Sequence, residues 1–515
     1  MRIGIDVGGT NTDGVLMDGR TVLGAFKTPT TPDVGEGIVR ALKGLGAVTQ
    51  FEPGQVTAVM VGTTQFTNAI VERRRLMPTA ALRLGLPATR ILPPMVDWPE
   101  DLKQAIGGYT FLAHGGHEYD GREISGLDEQ ELQAIARQIA DLGVRAVALS
   151  SVFSPIKAAF EEQAAAILRS EIPDLAVTLS NAIGRIVLLQ RENAAILNAC
   201  LGDLARQVVR AFRSALAEMK LSVPLYISQN DGTLMSAEFA EAYPVLTFAS
   251  GPTNSMRGAA FLCGARDAVV VDVGGTTSDV GMLVHGFPRE ASTTVEVGGV
   301  RTNFRMPDVY SFGLGGGSII RREPLTIGPQ SVGYELTSKA LIFGGDVLTT
   351  SDVAVAAGIT DFGDRARVAA ALDGAFVEAA LNRIQAMVEE AIDRMKTSAA
   401  PIPVILVGGG SVLVSRPIQG ASEVIKPDHY PVANAIGAAI AQVGGETDRV
   451  FSLEKLTRDE ALAQAKQEAI DKVLAEGAMA DSVQIVEVEE VPLAYLPSNA
   501  IRMHVKAVGD LKIEE

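Results

Sequence analysis

Apolar residues in this chain fall in short runs, and two of those runs lead into nearly the same polar sequence. Ile3 and Ile5 precede Asp6-Val-Gly-Gly-Thr-Asn-Thr-Asp13; Val269, Val270 and Val271 precede Asp272-Val-Gly-Gly-Thr-Thr-Ser-Asp279. A second apolar run follows each, Val15-Leu16-Met17 and Val280-Gly281-Met282-Leu283. The pattern predicts a strand, a glycine-rich turn and a strand, twice over.

Around the first copy, strands are predicted at 2–7, 13–18 and 21–26, then a helix at 34–46 capped by Asp33. A strand at 57–61 follows, and Gly62-Thr63-Thr64 opens a helix reaching Arg74. Residues 76–127, rich in Pro and Gly, read as an irregular insertion. Helix 128–142, strand 144–150, helix 157–170 and strand 175–179 complete a first unit, 1–180. Residues 181–266 read as a helical and connecting segment: a long helix at 186–219, a strand at 224–229, and a small-residue helix from Ser250-Gly251-Pro252 to Cys263, with Pro favoured just inside a helix start. Residues 267–445 repeat the theme with strands at 268–273, 279–285 and 291–297. A helix at 368–396, a strand at 402–407 ending in Gly408-Gly409-Gly410-Ser411, and a small-residue helix over Asn434–Ile440 follow. Residues 446–515 read as a small α/β appendage. It has a charged helix from Asp459 to Glu476 and strands Gln484–Val491 and Ile501–Val505, joined through Pro497-Ser498-Asn499.

The residues repeated in the two hairpins are those phosphate chemistry uses. Gly8, Gly9, Gly274 and Gly275 let backbone N–H groups approach a phosphate. Thr10, Thr12, Thr276 and Thr277 carry hydroxyls that can donate to phosphate oxygens. Asp6, Asp13, Asp272 and Asp279 can hold a Mg²⁺ shell or take a proton. One copy could be only a turn; two copies suggest related halves, each offering a hairpin to one nucleotide between them. Gly408, Gly409 and Gly410 either let a base or ribose lie against the backbone or form a tight β–α turn. Gly313-Leu-Gly-Gly-Gly-Ser318 is open in the same way, between ligand contact and packing. Thr349-Thr-Ser-Asp352, near Gly344-Gly345-Asp346, groups hydroxyls with carboxylates or caps a helix. His114 and His117 invite a metal reading, but their spacing is not that of a helical zinc site and the intervening glycines argue for a loop. His285 and His504 fall in strand-like runs and read as structural.

At 47% apolar and 21% charged residues the chain is globular. A net charge of −16 argues against nucleic acid or an anionic membrane as the partner, but not against a polyphosphate bound through Mg²⁺ and backbone N–H groups. No apolar run approaches the ~20 residues of a membrane span, and no signal segment precedes the first strand. With only two cysteines, Cys200 and Cys263, the expected setting is the cytoplasm.

This order of hairpin, βα pattern, second hairpin, triple-glycine strand end and small-residue helix resembles the actin/sugar-kinase/Hsp70 ATPase superfamily. Within it, the chain is similar to the hydantoinase A/oxoprolinase family, as an N-methylhydantoinase A-like subunit. Both hairpins carry that resemblance, with Gly62-Thr-Thr-Gln-Phe-Thr-Asn-Ala-Ile-Val-Glu72, Gln229-Asn-Asp-Gly-Thr-Leu-Met-Ser236, Ser250-Gly-Pro-Thr-Asn-Ser-Met-Arg-Gly-Ala-Ala260, Gly313–Ser318 and Thr349–Asp352. The fold it implies is α/β: two ribonuclease-H-like (actin-like ATPase) halves around a nucleotide cleft, plus the C-terminal appendage.

The resemblance implies ATP-dependent opening of a cyclic amide or imide (a hydantoin, oxoproline or lactam) with a second, hydantoinase-B-like or other subunit; whether the chain also forms a homo-oligomer stays open. Asp6 and Asp272 are expected to organise Mg²⁺. Gly8, Gly9, Thr10, Thr12, Gly274, Gly275, Thr276 and Thr277 are expected to hold phosphates, and Gly408, Gly409 and Gly410 adenosine. Asp13 and Asp279 are the expected catalytic carboxylates. Two alternatives remain: an ATP-dependent ketone carboxylase subunit, and a nucleotide-binding regulatory subunit without catalysis. The chain departs from long members of the family at 76–112 and before Gly344, where no Pro-Gly-Pro run occurs, and nothing in it resembles the second subunit.

Overall fold

A computed structural model describes residues 1–31, 34–183, 186–291, 295–304, 306–454, 456–493 and 499–512. The expected cap Asp33 and the Pro497-Ser498 part of the C-terminal link lie outside the described residues.

Strand Arg2–Val7 pairs antiparallel with Asn11–Asp18, which pairs with Thr21–Pro29; on its other side it runs parallel to Ala58–Thr63. Parallel to Ala58–Thr63 lies Leu225–Ser228. This gives the ribonuclease-H-like order, with the fifth strand supplied from beyond residue 220. The expectation that strands near 144–150 and 175–179 complete this half is corrected. With Thr79–Leu86 and Tyr109–His114 they form a separate four-stranded parallel sheet. The stretch 76–127 is therefore not irregular: it carries two strands and the helix Glu100–Ile106. Its central strand, Thr79–Leu86, is buried along almost its whole length. Such strands show no apolar–polar alternation, and Arg83 within it breaks the apolar run. Arg83 is wholly buried and is held by Glu192 (2.7 and 2.5 Å) of the helix Leu188–Cys200. That ion pair fastens the inserted sheet to the rest of the molecule.

The second half repeats the first. Ala268–Val273 pairs antiparallel with Ser278–Val284 and parallel with Ile402–Val407, which runs beside Ala421–Ile425. Its third strand is Val309–Phe312; of the strand expected at 291–297, residues 292–294 lie outside the described residues, and Val295–Val297 forms a two-stranded ribbon with Val300–Thr302. Two expected long helices are each divided. Gly202 begins a new helix after Leu201, and Asp373 accepts a hydrogen bond from Phe376 N (2.8 Å) to start Gly374–Met395 after the extended Leu372. Nor is the C-terminal segment a separate appendage: Val443–Ser452, Ala500–Gly509 and Gln484–Pro492 extend the first half's sheet to nine strands.

Helices Ser250–Cys263 and Ala433–Ala439 cross between the halves at backbone contact. A Cβ on Gly258 would lie 1.9 Å from Ala433 O, one on Gly437 1.8 Å from Asn254 O, and one on Gly4 2.2 Å from Ala435 O. These small residues let the two sheets approach, so the first turns of their central strands face each other.

Candidate active site in the cleft between the two hairpins

The two hairpins are the same object built twice. Asp6 faces Asp13 and Asp272 faces Asp279 across their strand pairs. Gly8 N donates to Asn11 O (3.0 Å) and Gly274 N to Thr277 O (2.9 Å), closing equivalent turns. Each turn is also pinned from behind. Thr30 donates from Oγ1 to Gly8 O (2.8 Å) and from N to Thr10 O (2.9 Å). In the second hairpin, Gly316 N and Gly317 N donate to Gly274 O (3.1 Å) and Gly275 O (2.7 Å). In a trans peptide the C=O and the next N–H point in opposite directions. Pinning those carbonyls therefore turns the N–H groups of Gly9, Asn11, Gly275 and Thr276 away from the supports. The Gly313–Ser318 loop is thus a buttress: a Cβ on Gly315 would meet Gly275 C at 2.5 Å. Thr350 and Ser351 hold the loop's carbonyls, with Ser351 Oγ 2.7 Å from Gly316 O. Thr349–Asp352 is a capping box for the helix Thr350–Ala356.

Between the hairpins lies a cleft of about 660 Å³, of the size ligand sites have. Asp6, Gly8, Gly9, Thr10, Asp13, Asp272, Gly274, Gly275, Thr276, Thr277 and the triple glycine Gly408, Gly409 and Gly410 all line it. Thr12 does not: it is buried, its hydroxyl 3.3 Å from that of Thr30, because strand alternation turns it inward. Asp279 also lies off the cleft wall, where its carboxylate accepts from Ser311 Oγ. Gly408 has φ +83° and no room for a side chain, since a Cβ would lie 2.1 Å from Asp272 Oδ1. Gly409 is open to the cleft, with nothing within 4 Å of a Cβ.

Three carboxylates converge here, with one cation among them. Lys27 Nζ lies 2.5 Å from Asp13 Oδ1. Asn434 Nδ2 donates to both Asp6 Oδ2 (2.8 Å) and Asp13 Oδ2 (3.1 Å), and Ser255 Oγ donates to Asp272 Oδ2 (2.5 Å). Burial pushes Asp6 up to about 7, and the neighbouring Asp13 and Asp272 add to that; Lys27 and Asn434 oppose it. Burial raises Asp272 too, against the Ser255 hydrogen bond, and lifts Asp279 to about 6. Asp6 Oδ1 is buried and lacks a hydrogen-bond partner. An orphaned carboxylate oxygen amid surplus negative charge fits a divalent cation, so the residues suit Mg²⁺.

Sequence reasoning missed Lys27, Thr30, Ser255 and the polar role of Asn434. Lys27 stands opposite Asp13 in the strand register, and Asn434 opens a helix whose small residues suggest only packing. It also missed that Thr64, Asn68 and Glu72, spaced by four, put one face of the helix Gln65–Glu72 on the cleft wall. His114 and His117 lie away from it. His114 pairs with Glu131 (3.1 Å), while the His117 ring packs at a tilt against Phe160, its pKa held below the ordinary value by burial and by Lys157. Asp231 of the 229–236 motif instead binds Lys506 (2.7 Å).

Two ribonuclease-H-like halves with opposed glycine hairpins define the actin-like ATPase fold. Comparison with known proteins narrows this: the hydantoinase/oxoprolinase N-terminal region matches residues 2–172 and the hydantoinase/oxoprolinase domain matches 191–363. The chain belongs to the hydantoinase/oxoprolinase family. It is 28% identical over 392 residues to the caprolactamase subunit alpha of Pseudomonas jessenii, covering 69% of this chain and 54% of that protein. It is 26% identical over 397 residues to the acetophenone carboxylase gamma subunit of Aromatoleum aromaticum, covering 69% and 53%. The chain thus spans about half the length of these curated relatives. Its fold matches the crystal structure of the ATP-dependent caprolactamase from Pseudomonas jessenii with a TM-score of 0.78 and 20% identity over 99% of this chain and 88% of that one. The nucleotide-free acetone carboxylase structure matches at 0.74 and 17%, over 100% and 88%.

Proposed function

We propose that this chain is the ATP-binding subunit of a cyclic amidohydrolase. It would phosphorylate the carbonyl oxygen of a hydantoin, oxoproline or lactam so that the ring can open. The observation that carries the reading is the pair of facing hairpins with Asp6, Asp13 and Asp272 gathered between them, in a member of the hydantoinase/oxoprolinase family. A lactam carbonyl is a poor electrophile because nitrogen donates into it. Attack of its oxygen on the γ-phosphorus breaks the β–γ P–O bond, releases ADP and leaves an O-phosphorylated imidate. Water then adds at carbon and the ring nitrogen leaves with a proton, giving an acyl phosphate; a second water hydrolyses it to carboxylate and phosphate, so lactam, ATP and two waters become amino acid, ADP and phosphate.

Each part of the cleft has a task in this scheme. The N–H groups of Gly9, Asn11, Gly275 and Thr276, with the hydroxyls of Thr10 and Thr276, hold the phosphates and stabilise the charge that spreads in transfer. Gly409, the open member of the triple glycine, takes adenosine. Asp6 and Asp272 would hold Mg²⁺, which supplies charge neutralisation for the polyphosphate when bound. Asp13, kept in place by Lys27 and Asn434, orients the substrate or moves its proton. Glu72 and Asn68 offer an acceptor and an amide for a cyclic amide's N–H and C=O. Closure of the halves excludes water. The named relatives are subunits, which supports a partner subunit for the hydrolytic step. Cys200 and Cys263 are both free thiols, and among the described residues no helix is long and apolar enough to cross a membrane; a cytoplasmic setting accords with both.

The near-equal similarity to a carboxylase subunit favours one second reading, activation of a ketone for carboxylation. Steady-state ADP release with Mg-ATP and a panel of hydantoins, oxoproline, lactams and ketones, with and without bicarbonate, separates the two. Stimulation by a cyclic amide independent of bicarbonate supports the first; bicarbonate-dependent stimulation by a ketone replaces it with the second. Silence across the panel, with ATP bound and the partner subunit present, leaves a regulatory clamp.

A further inference from the structure

The strand pair at the C-terminal end of the nine-stranded sheet carries a cluster the cleft does not use. Alternation puts Glu487 and Glu489 on one face of Gln484–Pro492, and Arg502, His504 and Lys506 on the same face of Ala500–Gly509. The register sets Glu489 opposite His504 and Glu487 opposite Lys506, with Asp448 and Glu446 in the equivalent places on the other neighbouring strand. The opposite face, bearing Met503, Val505 and Ala507, packs against the helix Arg458–Ala475.

His504 is 1% exposed, and neither ring nitrogen makes a hydrogen bond. The nearest carboxylate oxygens stand off at 3.5 Å (Nε2 to Glu446) and 3.7 Å (Nδ1 to Glu487), beyond hydrogen-bond reach. The two cations on this face are engaged: Lys506 with Asp231 at 2.7 Å, and Arg502 with Asp448 at 2.7 and 2.5 Å. One ligand atom each from Glu487, Glu489 and His504 lies within 4.8 Å of the others. Burying an imidazole without a hydrogen bond is costly, and a cation seated among these three groups would take the lone pair of one ring nitrogen.

We propose that Glu487, Glu489 and His504 form a site for a divalent transition metal, Zn²⁺ fitting best, that staples the C-terminal strand pair. One imidazole nitrogen with two carboxylates and no thiolate suits Zn²⁺ or Mn²⁺ over Ca²⁺ or Mg²⁺, which prefer oxygen throughout. Metal–ligand distances of about 2.0–2.2 Å would draw the exposed Glu489 and the half-buried Glu487 from their present contacts onto the ion. Glu487 also lines a cavity of about 420 Å³, shared with Lys506 and Glu290, that gives an ion a way in. This site is independent of the nucleotide cleft and of the activity assigned to it.

The test is equilibrium dialysis of the chelator-treated full chain against ZnCl₂, with bound zinc counted by elemental analysis, in wild type, Glu489→Gln and His504→Gln. The cleft carboxylates contribute equally in all three. Both variants should hold about one zinc fewer than wild type at concentrations of about 100 µM, and zinc should raise the melting temperature of the wild type by several degrees more than that of either variant. Glu489 is exposed, so its substitution reports even where loss of the buried His504 impairs folding. Equal zinc content and equal thermal shift in wild type and Glu489→Gln would overturn the proposal and leave His504 as an ion-paired structural residue.

Discussion

Thr10 and Thr276 meet hydroxyl to hydroxyl across the cleft, their Oγ1 atoms 3.0 Å apart, although 266 positions separate them in the chain. The tip of each hairpin thus completes the other, and the packing enforces it: a Cβ on Gly275 would strike Thr10 Cγ2 at 2.7 Å. If both hydroxyls serve the same phosphates, their losses are not independent. Thr10→Val and Thr276→Val should each weaken Mg-ATP binding about tenfold, ~1.4 kcal/mol. The double variant should fall short of the summed effect by about 0.5–1.5 kcal/mol. Calorimetric titration of the four proteins measures this, and strict additivity would show that the two hydroxyls act on separate groups.

Asp6 gives the cleft a pH dependence. Its carboxyl rises from 3.8 to about 7 in the folded protein, through burial first and then Asp13 and Asp272. Without metal, the folded chain keeps a proton there that the unfolded chain has released. This group's contribution to stability therefore falls as pH rises from 3.8 towards about 7. A cation competes with that proton, so Mg-nucleotide affinity should rise by up to about tenfold per pH unit below 7 and level off above it. Asp6→Asn should bind Mg-nucleotide weakly and without that slope. A flat profile in wild type would remove Asp6 from the metal shell.

Much of this cleft was legible in the sequence because its glycines and carboxylates are contiguous, and a local turn needs only local residues. The supports were not legible, because they arrive from elsewhere in the chain. Thr30 lies just past the third strand, Thr21–Pro29, Ser255 sits inside a helix read as small-residue packing, and Asn434 reaches Asp6 over 428 positions. At the fold level, the repeated strand–hairpin–strand pattern pointed to two ribonuclease-H-like cores, but the fifth strand of the first, Leu225–Ser228, was read as part of a connecting segment. The inserted sheet was hidden because Thr79–Leu86, buried on both faces, shows no alternation, and because buried Arg83 reads as a surface residue until Glu192 stands opposite it. The C-terminal strands looked detached for a related reason: strand pairing to Val443–Ser452 is invisible in either strand alone.

Asp13 and Asp279 are equivalent in sequence but not in surroundings. Asp13 lines the cleft between Lys27 and Asn434, whereas Asp279 is capped by Ser311 off the cleft wall. Asp13→Asn should lower turnover on the order of 100-fold while Mg-ATP affinity stays within about tenfold, ~1.4 kcal/mol. Asp279→Asn keeps an acceptor for Ser311 and replaces a carboxyl already raised to about 6, so turnover should stay within about threefold. Single-turnover ADP formation with the activating substrate reads both. Equal losses in the two variants would restore Asp279 to the chemistry; loss of ATP binding in Asp13→Asn would make that carboxylate part of the nucleotide site instead.

Two glycines separate fold from function. Gly437 allows the two central helices to touch, with a Cβ only 1.8 Å from Asn254 O and no flexible side chain to give way. Gly408 sits over Asp272 at φ +83°, where a Cβ would come within 2.1 Å of the Oδ1 atom. Gly437→Ala must push the halves apart and should lower stability by roughly 2–3 kcal/mol, read as a fall in the melting temperature. Gly408→Ala displaces one carboxylate and strains one turn, at a cost of about 1–2 kcal/mol, but should weaken Mg-nucleotide binding by more than about tenfold. Melting curves with and without Mg-ATP distinguish them. Nucleotide should still stabilise Gly437→Ala and should no longer stabilise Gly408→Ala; the reverse order would place the nucleotide away from the triple glycine.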